Sequence, residues 1–217
     1  MLLEIFADFV CPWCYIGRRR LARALEARPE QLIRRRWLSF QLNPEMPAGG
    51  MDRNLYYAAK FGSVERAKHL HAMVEETAAR EQLPLALDRV RRVPNTFEAH
   101  RLLRCAERHG LGEAMVDAFF HAYFVEGHDL GDEEVLRYTA VGIGMSAEAI
   151  QLYFDDPDYE ADSVRASEAL ARQMGVQAVP CYVFNRRYAL AGAQEPAAFY
   201  PMLDLALVDQ GDPAVSY

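Results

Sequence analysis

Apolar residues run almost unbroken through the start of the chain, Leu2-Leu3-Glu4-Ile5-Phe6-Ala7-Asp8-Phe9-Val10, and then the pattern changes period. Such a run reads as a mostly buried strand over 2–9. From Cys11 to about Arg28 the apolar positions Tyr15, Ile16, Leu21, Ala22 and Leu25 share one helical face. Arg18, Arg19, Arg20 and Arg23 are then expected mostly outside, and Pro29 ends the helix. Ile33 to Leu42 predicts a second strand, broken by Asn43-Pro44 and Pro47-Ala48-Gly49-Gly50. Helical periodicity then dominates from Met51 to Met145, predicting about five helices and no strand. A further helical stretch covers Ala147 to Met174. Val176 to Phe184 predicts a strand, Asn185-Arg186-Arg187 a turn, Tyr188 to Ala191 another strand, and Glu195 to Val208 a final helix.

The order is β-α-β, a helical block, then α-β-β-α. Without the block, a thioredoxin-like arrangement remains. Crossover handedness makes the first two strands parallel, and the short turn makes the last two a hairpin. The expected fold class is α/β: a thioredoxin-like fold with an inserted all-helical subdomain. Residues 1–45 and 151–217 would form the thioredoxin-like domain, and 46–150 an insertion capping the active site.

Composition adds exclusions. At 217 residues, 51% hydrophobic and 25% charged, the chain is an ordinary globular one. A net charge of −7 argues against nucleic-acid binding. No apolar span is long enough for a bilayer, so no membrane partner is expected. Glu4 and Asp8 with no basic n-region give no signal peptide, and a cytoplasmic location is expected. Four cysteines do not make a disulfide framework, and in that compartment a CxxC is catalytic, redox-sensing or metal-binding.

The chemistry centres on Cys11-Pro12-Trp13-Cys14, placed between a strand and a helix. Two intervening residues let both sulfurs share the first helical turn, where unpaired N–H groups and the positive dipole end favour a thiolate. Cys11 is the candidate nucleophile and Cys14 the resolving thiol. A zinc half-site is the rival, but zinc takes about four ligands and no partner set is spaced for it. Pro180 is the second site residue. In a thioredoxin fold, a proline opening this strand takes the cis form and packs against the CxxC. The Val179 backbone would then pair with substrate like an added strand. Pro12, Trp13, Asn95 and His100 complete the expected substrate contacts, with Asn95–Arg101 facing Cys11 from the insertion. Asn95 or Thr96 could equally cap a helix. Cys181 and Cys105 read as buried small hydrophobes, and Asp8 as either a proton-transfer group or a loop carboxylate. No metal site is expected.

Three separated motifs agree in order with a known family: Asp8-Phe9-Val10-Cys11-Pro12-Trp13-Cys14-Tyr15-Ile16-Gly17; Pro94-Asn95-Thr96 with Ala99-His100-Arg101; and Val179-Pro180 followed by Ala191-Gly192-Ala193-Gln194. Together they resemble the FrnE-type branch of the DsbA family. The resemblance implies a thiol–disulfide oxidoreductase or isomerase with Cys11 attacking, Cys14 resolving and Pro180 as the cis-proline. It implies protein or small-molecule thiol and disulfide substrates and no cofactor, with glutathione admitted as a thiol co-substrate; it does not fix the oligomeric state. The same superfamily includes glutathione-dependent 2-hydroxychromene-2-carboxylate isomerases, which often carry serine at the first cysteine. Here both cysteines are kept, and Gly192-Ala193-Gln194 lacks the Asp-Arg or Asp-Ser type pair expected at glutathione's γ-glutamyl end. Such an isomerase or transferase is the first rival reading. A non-enzymatic chaperone or redox-sensing adaptor is the second.

Overall fold

In a computed structural model, residues 1–208 are described; 209–217, the end of the expected 151–217 segment, lie outside the described residues. Strand β1 (Leu2–Ala7) leads into helix α1 (Pro12–Glu26) and strand β2 (Arg34–Ser39). The two strands are parallel, with Ile5 opposite Trp37. Pro12 occupies the first turn of α1, where its fixed φ suits the helix and its missing N–H costs nothing. The insertion supplies α2 (Arg53–Phe61), α3 (Val64–Arg80), α4 (Phe97–Arg108), α5 (Gly112–His121) with a π-helical turn at Ala122–Glu126, and α6 (Glu133–Gly142). Then come α7 (Ala147–Asp155), α8 (Ala161–Gln173), the hairpin β5 (Cys181–Phe184) and β6 (Tyr188–Ala191), and α9 (Pro196–Val208).

The main sheet has the order β2-β1-β5-β6, with β5 antiparallel to β1 and to β6. Central β1 is buried throughout its length after Leu2, with Leu3, Ile5 and Phe6 fully enclosed. Helices α1 and α9 pack side by side, and Phe199 of α9 sits edge-on to Tyr182 of β5, centroids 4.8 Å apart. The thioredoxin-like fold expected from the pattern is therefore present.

Four local features differ from the sequence reading. The strand expected over Val176–Phe184 starts only at Cys181, opposite Phe6. Pro180 has no N–H to donate to the ladder, so pairing cannot begin before it. The helical stretch Ala147–Met174 is two helices, because Pro157 holds Asp156 extended at φ −115° and ψ 100°. A short ribbon pairs β3 (Met51–Asp52) with β4 (Arg92–Val93) inside the helical block; two residues are too few to show a strand period. Arg20, expected outside, is buried. Its guanidinium bonds Glu81 Oε1 at 2.8 Å and the Ala193 carbonyl at 2.7 Å, and pairs with Glu195 at 2.5 Å. Arg23 adds a 2.6 Å bond to Glu81 Oε2. This cluster ties α1 to the end of α3 and to the loop after β6. Position 150 falls inside α7, whose neighbours are α6 and α4.

Candidate active site

The β1–α1 junction is built to present a sulfur. The Asp8 carbonyl accepts the Cys11 N–H at 3.1 Å, and the Cys11 carbonyl accepts the N–H groups of Cys14 and Tyr15 at 2.9 and 3.3 Å. Cys11 is thus the N-cap of α1, and Cys14 lies one turn inside. All four cysteines are free and buried. Cys11 retains 5% exposure against 1% for Cys14, so the first sulfur is the one at the surface of the cleft. Burial, followed by the hydrogen bond with Cys11 and the proximity of its charge, pushes the Cys14 thiol well above its ordinary range. Cys14 therefore holds its proton more firmly than an ordinary thiol.

The other wall comes from the segment before β5. The Val179–Pro180 peptide is cis, and the Cys11 thiol donates to the Val179 carbonyl at 3.6 Å. Pro180 is buried beneath, and α1 can come this close only because position 17 is glycine. A Cβ there would lie 2.3 Å from Tyr182 Oη and 2.8 Å from Pro180 Cγ. Gly17 is therefore part of the site's construction, which sequence reasoning quoted only within a motif.

A cleft of about 370 Å³ opens over Cys11. Val10, Pro12, Trp13 and Val179 border it on the thioredoxin side; Trp13 is 38% exposed. Tyr56, Tyr57, Lys60 and Phe61 of α2 form the facing wall, with Leu70, His71 and Met73 of α3 beside them. Tyr123 and Phe124 close the back. The insertion does roof Cys11, but through α2 and α3, not the expected segment.

Asn95 and His100 are not brought to the cleft. Asn95 donates to the Met46 carbonyl at 2.6 Å and accepts the Phe97 N–H at 2.9 Å, so it ties the start of α4, whose N-cap is Thr96, to the 43–46 loop. His100 is buried against Phe9, ring centroids 4.9 Å apart, with Nε2 3.4 Å from Asp8 Oδ1. Asp8 also accepts the Leu42 N–H at 2.7 Å. These groups shape the loop leading to Cys11 from behind, because the apolar face of α4 turns them into the core. Arg101 likewise bonds the Asp156 and Tyr159 carbonyls at 2.7 and 2.9 Å. The cleft-lining residues of α2 went unnoticed, although Tyr56-Tyr57 and Phe61 form an apolar face on a helix with no buried residue.

Burial raises the Cys181 thiol, and burial with the charge of Glu160 raises that of Cys105 to about 11. Both behave as core residues. Among the described residues, no group of three or more His, Cys, Asp or Glu side chains could hold a metal, and no helix is long and apolar enough to cross a membrane.

The fold thus brings together a strand-delivered N-cap cysteine, a buried cysteine one turn on and the facing Val179–Pro180 peptide. The chain belongs to the DSBA-like thioredoxin domain family, whose model matches residues 2–203. It is similar to the structure of a probable DsbA oxidoreductase from Streptomyces coelicolor, with 34% identity and a TM-score of 0.90 over 100% of this chain and 93% of that one. It is 25% identical over 183 residues to a 2-hydroxychromene-2-carboxylate isomerase of Sphingobium xenophagum, covering 82% of this chain and 86% of the relative. In fold it is also similar to the cytosolic disulfide reductase DsbM of Pseudomonas aeruginosa, described with GSH, at 18% identity and TM-score 0.67 over 97% and 98% of the two chains.

Proposed function

We propose that the chain is a thiol–disulfide oxidoreductase or isomerase of the FrnE-like branch, working through Cys11 and Cys14. The observation that carries this reading is the Cys11 sulfur, set at a helix N-terminus on the cleft surface with a buried, protonated Cys14 behind it. Cys11 attacks a disulfide, one substrate sulfur leaves as a thiolate, and a mixed disulfide forms. Cys14 then loses its proton and attacks Cys11 Sγ, closing the protein disulfide and releasing the second substrate thiolate. The substrate is reduced by two electrons and the protein oxidised by two. A thiol co-substrate, for which glutathione serves, reverses the protein's oxidation. Val179 offers a backbone edge to an incoming chain, and Pro12 and Trp13 border the approach. A cytoplasmic setting fits a site used in the reducing direction.

Insulin reduction and refolding of scrambled ribonuclease test the proposal. The parent chain is expected to catalyse at least one, Cys11→Ser neither, and Cys14→Ser to accumulate mixed disulfide. Full activity in Cys11→Ser would overturn it.

A further inference from the structure

The wall facing Cys11 has a distinctive chemistry. Tyr57 lies edge-on to His71, centroids 4.6 Å apart, and 5.8 Å from Phe61, so α2 and α3 present a tilted array of rings. These rings are only half-buried, and the space they face is the cleft. Burial, followed by the charge of Arg53, lowers the pKa of His71, which keeps its ring neutral; burial pushes Tyr57 up to about 12. Among the described residues, no Asp or Glu lines the cleft. Among the described residues, the one permanent charge on its wall is the Lys60 ammonium, 2.5 Å from Tyr56 Oη and 3.4 Å from Asn43 Oδ1. Both contacts are to neutral oxygens, so among the described residues the ammonium has no counter-ion there. The volume is at the small end for ligand pockets, suited to a small molecule.

We propose that this cleft selects low-molecular-weight disulfides whose halves are apolar, ring-bearing and carboxylate-terminated, with Lys60 as the residue that reads the carboxylate. The inference rests on Cys11 being the attacking thiol and goes beyond it by naming the substrate class. The rings pack on the aromatic wall and the carboxylate meets the ammonium. Cys11 attacks the nearer sulfur, the S–S bond breaks, and the anionic aromatic thiolate leaves; Cys14 releases the second half as described above. Glutathione is a poorer fit, because its peptide body is polar and its ammonium finds no acid in the cleft.

The test uses the reduced full chain in stopped flow with 5,5′-dithiobis(2-nitrobenzoate), neutral 4,4′-dithiodipyridine, cationic cystamine and oxidised glutathione. Each rate is divided by the rate of the same disulfide with 2-mercaptoethanol, which removes intrinsic reactivity. The aromatic carboxylate is expected to exceed cystamine and oxidised glutathione by about tenfold or more. Lys60→Met is expected to lower the anionic-to-neutral aromatic rate ratio about fivefold, the size of one partly exposed charge contact. Equal normalised rates for all four, a preference for oxidised glutathione, or an unchanged ratio in Lys60→Met would overturn the inference. Reaction of Cys11 with none of the four would instead overturn the proposed function.

Discussion

Replacing Gly17 by alanine tests how tightly α1 is pinned against the loop that faces Cys11. The added Cβ would stand 2.3 Å from Tyr182 Oη and 2.8 Å from Pro180 Cγ. Against an ordinary contact near 3.4 Å, those gaps fall short by about 1.1 and 0.6 Å. Neither neighbour can retreat easily. Tyr182 is fully buried in the centre of β5, and Pro180 is fixed by its ring and by its carbonyl, which accepts the Gly192 N–H at 2.7 Å. Overpacking of this kind costs up to about 3 kcal/mol, while a helix-interior Gly→Ala exchange returns about 1 kcal/mol. The packing loss wins, leaving a net cost of about 2 kcal/mol. For a chain of this size that lowers Tm by about 4–8 °C. The displaced helix also carries Cys11 away from Val179, so alkylation of Cys11 by iodoacetamide at fixed pH should change rate in the same variant. Adding Tyr182→Phe removes the nearer obstacle and should restore part of the loss. Thermal unfolding by circular dichroism reads all three proteins. A Gly17→Ala Tm within 1 °C of the parent would refute the reasoning.

Three further outcomes follow from the same geometry. Glu81→Ala leaves buried Arg20 with only Glu195 as its acid partner, and should cost about 3 kcal/mol by urea unfolding at pH 7. Burial alone would raise the Glu81 carboxyl, but hydrogen bonds from Arg23 and Arg20 outweigh it and lower its pKa below the ordinary 4.5. Its contribution is therefore present above pH 4.5 and lost as pH falls through the lower folded value, so parent and variant should converge in stability in acid. Tyr182→Phe removes a buried hydroxyl that lacks a hydrogen-bond partner among the described residues and should stabilise the protein by about 1 kcal/mol in the same assay. Because the Cys14 pKa is raised, its thiol is protonated at neutral pH, and closure of the Cys11–Cys14 disulfide should accelerate about tenfold per pH unit from pH 7 to 9. Stopped-flow tryptophan fluorescence follows that step; a pH-independent rate would contradict the assignment of Cys14.

Much of this architecture is legible along the chain because it rests on local rules. The run Leu2–Val10, the Pro12 start of α1 and the Asn185-Arg186-Arg187 turn each announce an element. Cys11, Cys14 and Pro180 stand out by residue type and spacing, and the fold brings Cys11 against the Val179–Pro180 peptide. What escaped depends on contacts distant in sequence. Arg20 looks like a solvent-facing member of an arginine run, and only the return of α3 with Glu81 gives it a buried partner. His100 and Asn95 sit in a conspicuous motif, yet the motif's work is to brace the Asp8–Phe9 loop and the 43–46 turn. The cleft wall escaped for the opposite reason: Tyr56, Tyr57 and Phe61 look like core residues of a helix, and only the fold shows that they face an opening beside Cys11.

The central claim is that Cys11 is the attacking sulfur and Cys14 resolves. Its most direct test is to treat reduced Cys14→Ser protein with a substoichiometric disulfide, quench in acid and map the adduct by peptide mass spectrometry. The account predicts a stable mixed disulfide on Cys11 and negligible label on Cys105 and Cys181. An adduct on either of those cysteines in preference to Cys11, or no adduct at all, would contradict it.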